Sequence, residues 1–139
     1  MAQHPRYKTA RCILHCEDTY LLAVHSSFWA RPNRRWGLPG GGIERKEPPM
    51  AAARREIYEE FDLEVGNLIE VGTYYYKRNY HVVFAAEVAQ KLSYYDDREL
   101  LDIGWYSLAQ VQDFSRTGKL HAGYELEAIQ AYIDMQKKI

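Results

Sequence analysis

Three carboxylates lie close together in one short stretch: Glu56, Glu59 and Glu60, within residues 41–63 (GGIERKEPPMAAARREIYEEFDL). On a helix, positions three and four apart share a face, so the three acids form one patch. Like charges at this spacing destabilise an exposed helix by about 0.2–0.5 kcal/mol per pair, and by more when partly desolvated. Arg55 can relieve Glu59 at four residues' distance, whereas Glu56 and Glu60 have no cation at that spacing. A hard divalent cation offsets such crowding, because it takes oxygen ligands and is often held by one or two carboxylates plus substrate phosphates. Taken alone, ExxEE is also a common pattern on a solvated helix face, and the surrounding residues must decide between the two readings.

Those surroundings are specific. Met50, Ala53, Ile57 and Phe61 form an apolar stripe beside the acids, which should pack the helix on a sheet and leave the carboxylates on the shoulder of the buried face. Glu47-Pro48-Pro49 opens the helix, proline being tolerated where the N–H has no helical partner, and the spacing predicts a helix over 47–61. Upstream, Gly40, Gly41 and Gly42 cannot be a comfortable strand or helix interior; they mark backbone that must bend or come close to something.

Residues 41–63 resemble the Nudix box of the MutT/Nudix hydrolases: glycine, five residues, glutamate, seven residues, then Arg-Glu-hydrophobic-x-Glu-Glu-x-Gly-hydrophobic. The corresponding positions are Gly41, Glu47, Arg55, Glu56, Ile57, Glu59, Glu60, Asp62 and Leu63, and eight of the nine agree. With average residue usage such agreement at a given start arises by chance on the order of once in ten million. Trp36-Gly37-Leu38-Pro39-Gly40 is similar to the family's lead-in to the box. The departure is Asp62, where the family has a glycine in a left-handed C-cap; aspartate tolerates that conformation at about 1 kcal/mol, and no expected ligand is touched.

The resemblance implies an α/β Nudix fold, a mixed β-sheet sandwiched between α-helices, with residues 1–139 as a single Nudix hydrolase domain. It implies Mg²⁺, with Mn²⁺ as a substitute, held by Glu56 and Glu60, by Glu59 directly or through water, and by the carbonyl of Gly40. Gly41 supports the site, and Glu47 and Arg55 are implied to be an ion pair tying loop to helix. Relatives often add a carboxylate from a loop before the last strand; Glu99 best matches that placement, with Asp96, Asp97 and Asp102 as rivals. The implied reaction is water attack at phosphorus in the pyrophosphate of a nucleoside triphosphate, or of another nucleoside diphosphate linked to a further moiety. The cation neutralises developing charge and lowers the pKa of a bound water. Glu56 is the first candidate for the catalytic base and Glu99 its rival.

Substrate choice lies outside the box. Arg31, Arg34 and Arg35 can reach distal phosphates, or can be plain surface charge. Alternation puts Tyr74 and Tyr76 on one sheet face and Tyr75 on the other, and one of the 12 tyrosines can stack on a base. Tyr80 lies 17 residues after Leu63, a spacing similar to that in the family's dinucleoside-polyphosphate hydrolases, which keeps that class as an alternative. No proline follows Pro49, so the family's marker for ADP-ribose hydrolases has no counterpart. A second alternative is a Nudix-fold module that binds a nucleotide without cutting it; such modules are expected to lose box carboxylates, and Glu56, Glu59 and Glu60 are all present.

The elements that must position these residues follow from pattern. Residues 9–16 and 20–25 read as a hairpin around Glu17-Asp18-Thr19, and residues 68–76 and 80–88 as a second pair around Lys77-Arg78-Asn79. Residues 93–99 form a polar loop, residues 102–106 a last strand, Ser107 caps a short helix, and residues 124–136 carry Leu126, Ile129 and Ile133 at helical spacing. The chain has 139 residues with 47% hydrophobic and 27% charged, which fits one globular domain. With 18 basic against 19 acidic residues the net charge is −1, which disfavours a sequence-indifferent nucleic-acid binder. Cys12 and Cys16 sit on one strand about 13 Å apart, beyond the roughly 7 Å reach of a disulfide, and are expected as reduced, half-buried thiols. No secretory segment or membrane span is found. The expectation is therefore a cytoplasmic protein whose partner is a small nucleotide, without membrane or nucleic acid, and with a homodimer left open.

Overall fold

The computed structural model describes residues 7–26 and 34–138; Arg31 lies outside them. The elements run β1 (Tyr7–Cys16), β2 (Thr19–His25), β3 (Gly40–Gly42), α1 (Pro49–Phe61), β4 (Ile69–Tyr76), β5 (Asn79–Glu87), β6 (Leu100–Ser107), α2 (Leu108–Arg116) and α3 (Tyr124–Gln136). Among the described residues no helix is long and apolar enough to cross a membrane.

The strands form one mixed sheet in the order β4-β5-β1-β2-β6, with β3 paired to β1. Strand β1 is the hub. One edge pairs parallel with β5; the other is divided between β3, at Thr9, Ala10 and Arg11, and β2, at His15 and Cys16. Strands covered on both faces read as near-continuous apolar runs, and β5 is such a strand. Val82, Phe84 and Ala86 join Ala10, Cys12 and Leu14 under α1, where Ala53, Ile57 and Phe61 pack. Val83 and Ala85 face the other way with Ile13, toward Val111 of α2 and Ala128, Ile129 and Tyr132 of α3. The sheet thus lies between α1 on one face and α2 with α3 on the other. Full burial of Ile57 is worth about 1.5–3 kcal/mol.

Several details differ from the sequence reading. The glycine triplet is a strand, if a short one: Gly40 has φ +129°, and a Cβ on it would stand 2.2 Å from the Ala10 carbonyl oxygen. Pairing at that closeness is open only to a residue without a side chain. Helix α1 begins at Pro49 and not at 47, since Pro48, preceding a proline, is extended at φ −63°, ψ 143°. Met50 is 40% exposed, and Ala52 takes its place in the core. Both thiols, at Cys12 and Cys16, are fully buried and not half-buried. Strand β6 begins at Leu100, which is itself buried. Ser107 does cap α2, accepting from the Gln110 N–H while the Gln110 side chain accepts from the Ser107 N–H.

Helix α1 ends at Asp62 in the left-handed region, φ 54° and ψ 37°, with its N–H on the Tyr58 carbonyl. Glycine adopts this conformation without the Cβ clash. Asp62→Gly should therefore stabilise the fold by about 0.5–1 kcal/mol in urea denaturation; a loss of stability would show that the aspartate side chain has a role of its own.

Candidate active site

The end of α1 is driven against the glycine strand, and its last carboxylate goes inside. Glu60 is 2% exposed; its Oε1 accepts the Gly40 N–H at 3.0 Å, and its Oε2 lies 3.5 Å from His25 Nδ1. Burial pushes its pKa up to about 8, against the stabilising hydrogen bond from Gly40. His25 is held down to about 3, by burial first and then by the charge of Arg11. Its Nε2 lies 3.0 Å from the Leu38 carbonyl, which can only accept, so Nε2 carries the proton and Nδ1 is left as an acceptor. Both shifts favour the neutral forms, so the Glu60–His25 contact is not held as an ion pair.

Arg55 gathers the exposed end of the site. It donates through Nε to Glu47 Oε2 at 2.8 Å and through Nη2 to Glu47 Oε1 at 2.9 Å, and Nη2 also reaches the Gly42 carbonyl at 2.9 Å. Its Nη1 donates to Glu56 Oε1 and to Glu59 Oε1, each at 3.1 Å. The Arg55 hydrogen bonds hold Glu47 down to about 2. Glu56 therefore does have a cationic partner: helical spacing alone does not reveal it, because the guanidinium curls back from the adjacent position while gripping the loop. Burial pushes the Glu56 carboxyl up and Arg55 moderates the rise. A Cβ on Gly41 would stand 2.6 Å from Glu56 Cδ, so the missing side chain is the space this carboxylate occupies.

The loop before β6 closes one end. The Asp96 N–H donates to the Glu60 carbonyl at 2.8 Å. Asp96 itself is engaged by Arg98, and Asp102 faces Arg34 at 3.5 Å. Glu99 is exposed, and its charge is one of those that raise the Glu60 pKa. Of the four loop carboxylates weighed, it is the one that acts on the buried acid.

On the opposite sheet face, Arg11 lines a small cavity with Tyr76, His81, His121, Tyr124 and Glu125. Arg35 lies near enough for its charge to depress His121, and Arg34 faces Asp102 at the surface. Tyr80 shares the face of Val82 and packs against Tyr75 at 5.2 Å, away from this cavity. Arg11, His25, His81, His121 and Tyr124 were not singled out from sequence. One signal existed: in TARCIL the alternation that buries Ala10 and Cys12 sends Thr9 and Arg11 to the other face, and an arginine inside an apolar strand needs a reason.

The NUDIX domain family model matches residues 5–125. The chain belongs to the Nudix family. It is 31% identical over 101 residues to a nucleoside triphosphate pyrophosphatase/Nudix hydrolase fusion protein of Bifidobacterium longum, covering 67% of this chain and 20% of that one. It is 37% identical over 84 residues to mouse diphosphoinositol polyphosphate phosphohydrolase 3-alpha, covering 58% and 49%. The match thus spans less than half the length of either relative. In fold it is similar to the NUDIX domain of Shewanella oneidensis NrtR, solved with ADP ribose, at TM-score 0.75 and 18% identity over 96% of this chain and 90% of that one.

For a Nudix chain the donor set fits a hard cation. Glu56, Glu59, Glu60 and the Gly40 carbonyl supply only oxygens, and the glycine strand clears the space around them. Among the described residues, no three acid, histidine or cysteine side chains converge into a finished ligand cluster as they stand. The side chains are instead turned to protein cations and donors: Glu56 and Glu59 to Arg55, Glu60 to Gly40, and the Gly40 carbonyl to Arg11 Nη1 at 2.9 Å.

The electrostatics give a test without metal. A carboxyl whose folded pKa is raised, here to about 8 from an ordinary value near 4.3, weakens the fold as pH rises between the two values. Glu60→Gln keeps the acceptor for the Gly40 N–H and carries no charge. In chelator its stability advantage over the wild type should be small at pH 5 and grow by pH 8.5; the same difference at both would mean that Glu60 is solvated in solution.

Proposed function

We propose that the chain is a Mg²⁺- or Mn²⁺-dependent hydrolase that cuts a pyrophosphate bond in a nucleoside triphosphate, or in another nucleoside diphosphate linked to a further group. The observation that carries this reading is the gathering of Glu56, Glu59 and Glu60 at a side-chain-free strand, on a helix whose Arg55 ties it to the preceding loop. The names of the relatives, a nucleoside triphosphate pyrophosphatase/Nudix hydrolase fusion and a diphosphoinositol polyphosphate phosphohydrolase, agree with chemistry on phosphoanhydrides.

A divalent cation held by Glu56, Glu59, Glu60 and the Gly40 carbonyl would neutralise charge on the transferring phosphoryl group and lower the pKa of an attacking water. The remaining work falls to the chain. Glu56 takes the proton of the water as its oxygen bonds to phosphorus, and the bridging oxygen leaves with the other half of the anhydride. The rigid helix fixes Glu56 one turn from Glu60, which holds the base in line. Glu99, on an exposed turn, approaches from the loop side as an auxiliary ligand. Arg55 favours the ionised form of Glu56, moderating the rise that burial imposes, and meets no reacting atom.

Mg²⁺-dependent phosphate or nucleotide release across a nucleotide panel that includes dinucleoside polyphosphates tests the activity; binding without turnover of any member would favour a nucleotide-sensing module. Mn²⁺ should raise the melting temperature of the wild type by mass action, and Glu60→Gln should abolish that rise; an unchanged response removes Glu60 from the site.

Positioned general-base catalysis contributes about 10²–10⁴-fold in rate. With saturating Mg²⁺ and one good substrate, Glu56→Gln should lower kcat by about that factor or more, and Glu99→Gln by about tenfold. The reverse order would place the base on the loop.

A further inference from the structure

We propose that the cavity beside Arg11 is a binding site for an anionic group, a phosphoryl or similar oxyanion, that the substrate carries away from its scissile bond. This rests on the hydrolase reading for its role, though not for its chemistry. The cavity has a volume of about 40 Å³, a few times the roughly 10–15 Å³ of such space that one water needs. Sites for drug-sized ligands run to about 300–1,000 Å³. A nucleoside is too large for it; a single small group is not.

Its charge is unbalanced. Arg11 is partly buried, yet among the described residues it makes no salt bridge. Its N–H groups face neutral partners: Nη1 the carbonyls of Gly40 at 2.9 Å and Leu38 at 3.4 Å and His25 Nε2 at 3.5 Å, and Nε the Thr9 Oγ1 at 3.2 Å. Carbonyls orient a guanidinium without neutralising it, and buried charge is ordinarily paired. Glu60 and Glu125 feel the charge of Arg11, but neither comes within ion-pair distance. Glu125 is turned to the start of α3, where its oxygens accept the N–H groups of Ala122 at 2.9 Å and Gly123 at 2.7 Å.

Two more cations add to the field. The charges of Arg11, Lys77 and Arg35 all hold His121 down, after burial, to about 4. Lys77 stands over the Tyr76 ring at 5.5 Å. His81 is a fixed wall, its nitrogens engaged by Thr9 and by the Tyr76 carbonyl. A cavity of this size, with an arginine inside and basic residues around it, is complementary to an oxyanion. A substrate that fills it carries a phosphate beyond the pyrophosphate that is cut.

The test has two arms. In the first, inorganic phosphate is titrated into the metal-free protein while the histidine ring signals are followed by ¹H–¹⁵N NMR. The His81 and His121 signals should shift saturably. Arg11→Met should weaken that binding by about tenfold or more, and Arg11→Lys should restore part of it. If Arg11→Met does not fold, Lys77→Gln, an exposed change, should still weaken it a few-fold. Equal binding by wild type and a folded Arg11→Met, or phosphate shifts that miss both histidines, overturns the site.

In the second arm, hydrolysis of NADPH is compared with NADH, and of coenzyme A with its 3′-dephospho form. At least one pair should favour the extra phosphate about tenfold in kcat/KM, and Arg11→Met should erase the preference. No preference in either pair overturns the assignment to substrate. No hydrolysis of these compounds or of any member of the nucleotide panel, alongside Arg11-dependent phosphate binding, sinks the hydrolase reading and leaves the anion site standing.

Discussion

The arrangement of this site depends on one guanidinium. Three glutamates on adjoining turns of a helix repel one another, and Arg55 answers two of them, Glu56 and Glu59, through a single nitrogen. Its other donors close on Glu47 and the Gly42 carbonyl. The same charge that makes the acidic face tolerable thereby clamps the glycine strand and its following loop to the helix. An ammonium could not do this, since the planar fork of arginine places its donors in fixed divergent directions. Arg55 is thus a structural ion whose position sets where the carboxylates stand.

Two glutamates of this one segment are driven in opposite directions by their surroundings. Glu47, held by a bidentate arginine, is pushed down to about 2, while Glu60, in a nearly dry pocket with one backbone donor, is pushed up to about 8. Hydrogen bonding to the charged form wins in the first case and desolvation in the second. His25, pushed down by burial and Arg11, brings no charge to relieve Glu60. The site therefore holds a carboxyl that the protein alone does not stabilise as an anion, the condition under which an added cation has most to offer.

Backbone geometry makes that contact possible. Gly40 adopts φ +129° with the Ala10 carbonyl where a Cβ would be, and Gly41 leaves room for the Glu56 carboxylate. Asp62 then turns the chain out of α1 through a left-handed residue. In front of this frame the sheet keeps its two faces apart: Ala10 and Cys12 support the helix, and Arg11 lines the cavity on the other side. A single strand serves both regions because its side chains alternate.

What was legible from the sequence was local. Periodicity and turn residues placed the strands and α3, and the spacing of Gly41, Glu47, Arg55, Glu56, Glu59 and Glu60 located the box, because these residues are neighbours along the chain or across one helix turn. The burial of Ala53, Ile57 and Phe61 followed from the same periodicity. The reach of Arg55 to Glu56, the burial of Glu60 against Gly40, and the pairing of the glycines as a strand were not legible, since each depends on which backbone lies across from which. Nor were the neighbours of Arg11, which come from β2, β4, β5 and the start of α3, from His25 to Tyr124. Tyr80 was weighed by spacing, yet the register of β5 sends it to the face away from the cavity. Sequence spacing carries the chemistry of residues on one element; side chains brought together from separate strands meet only through the order and register of the sheet, which nothing short of tertiary structure decides.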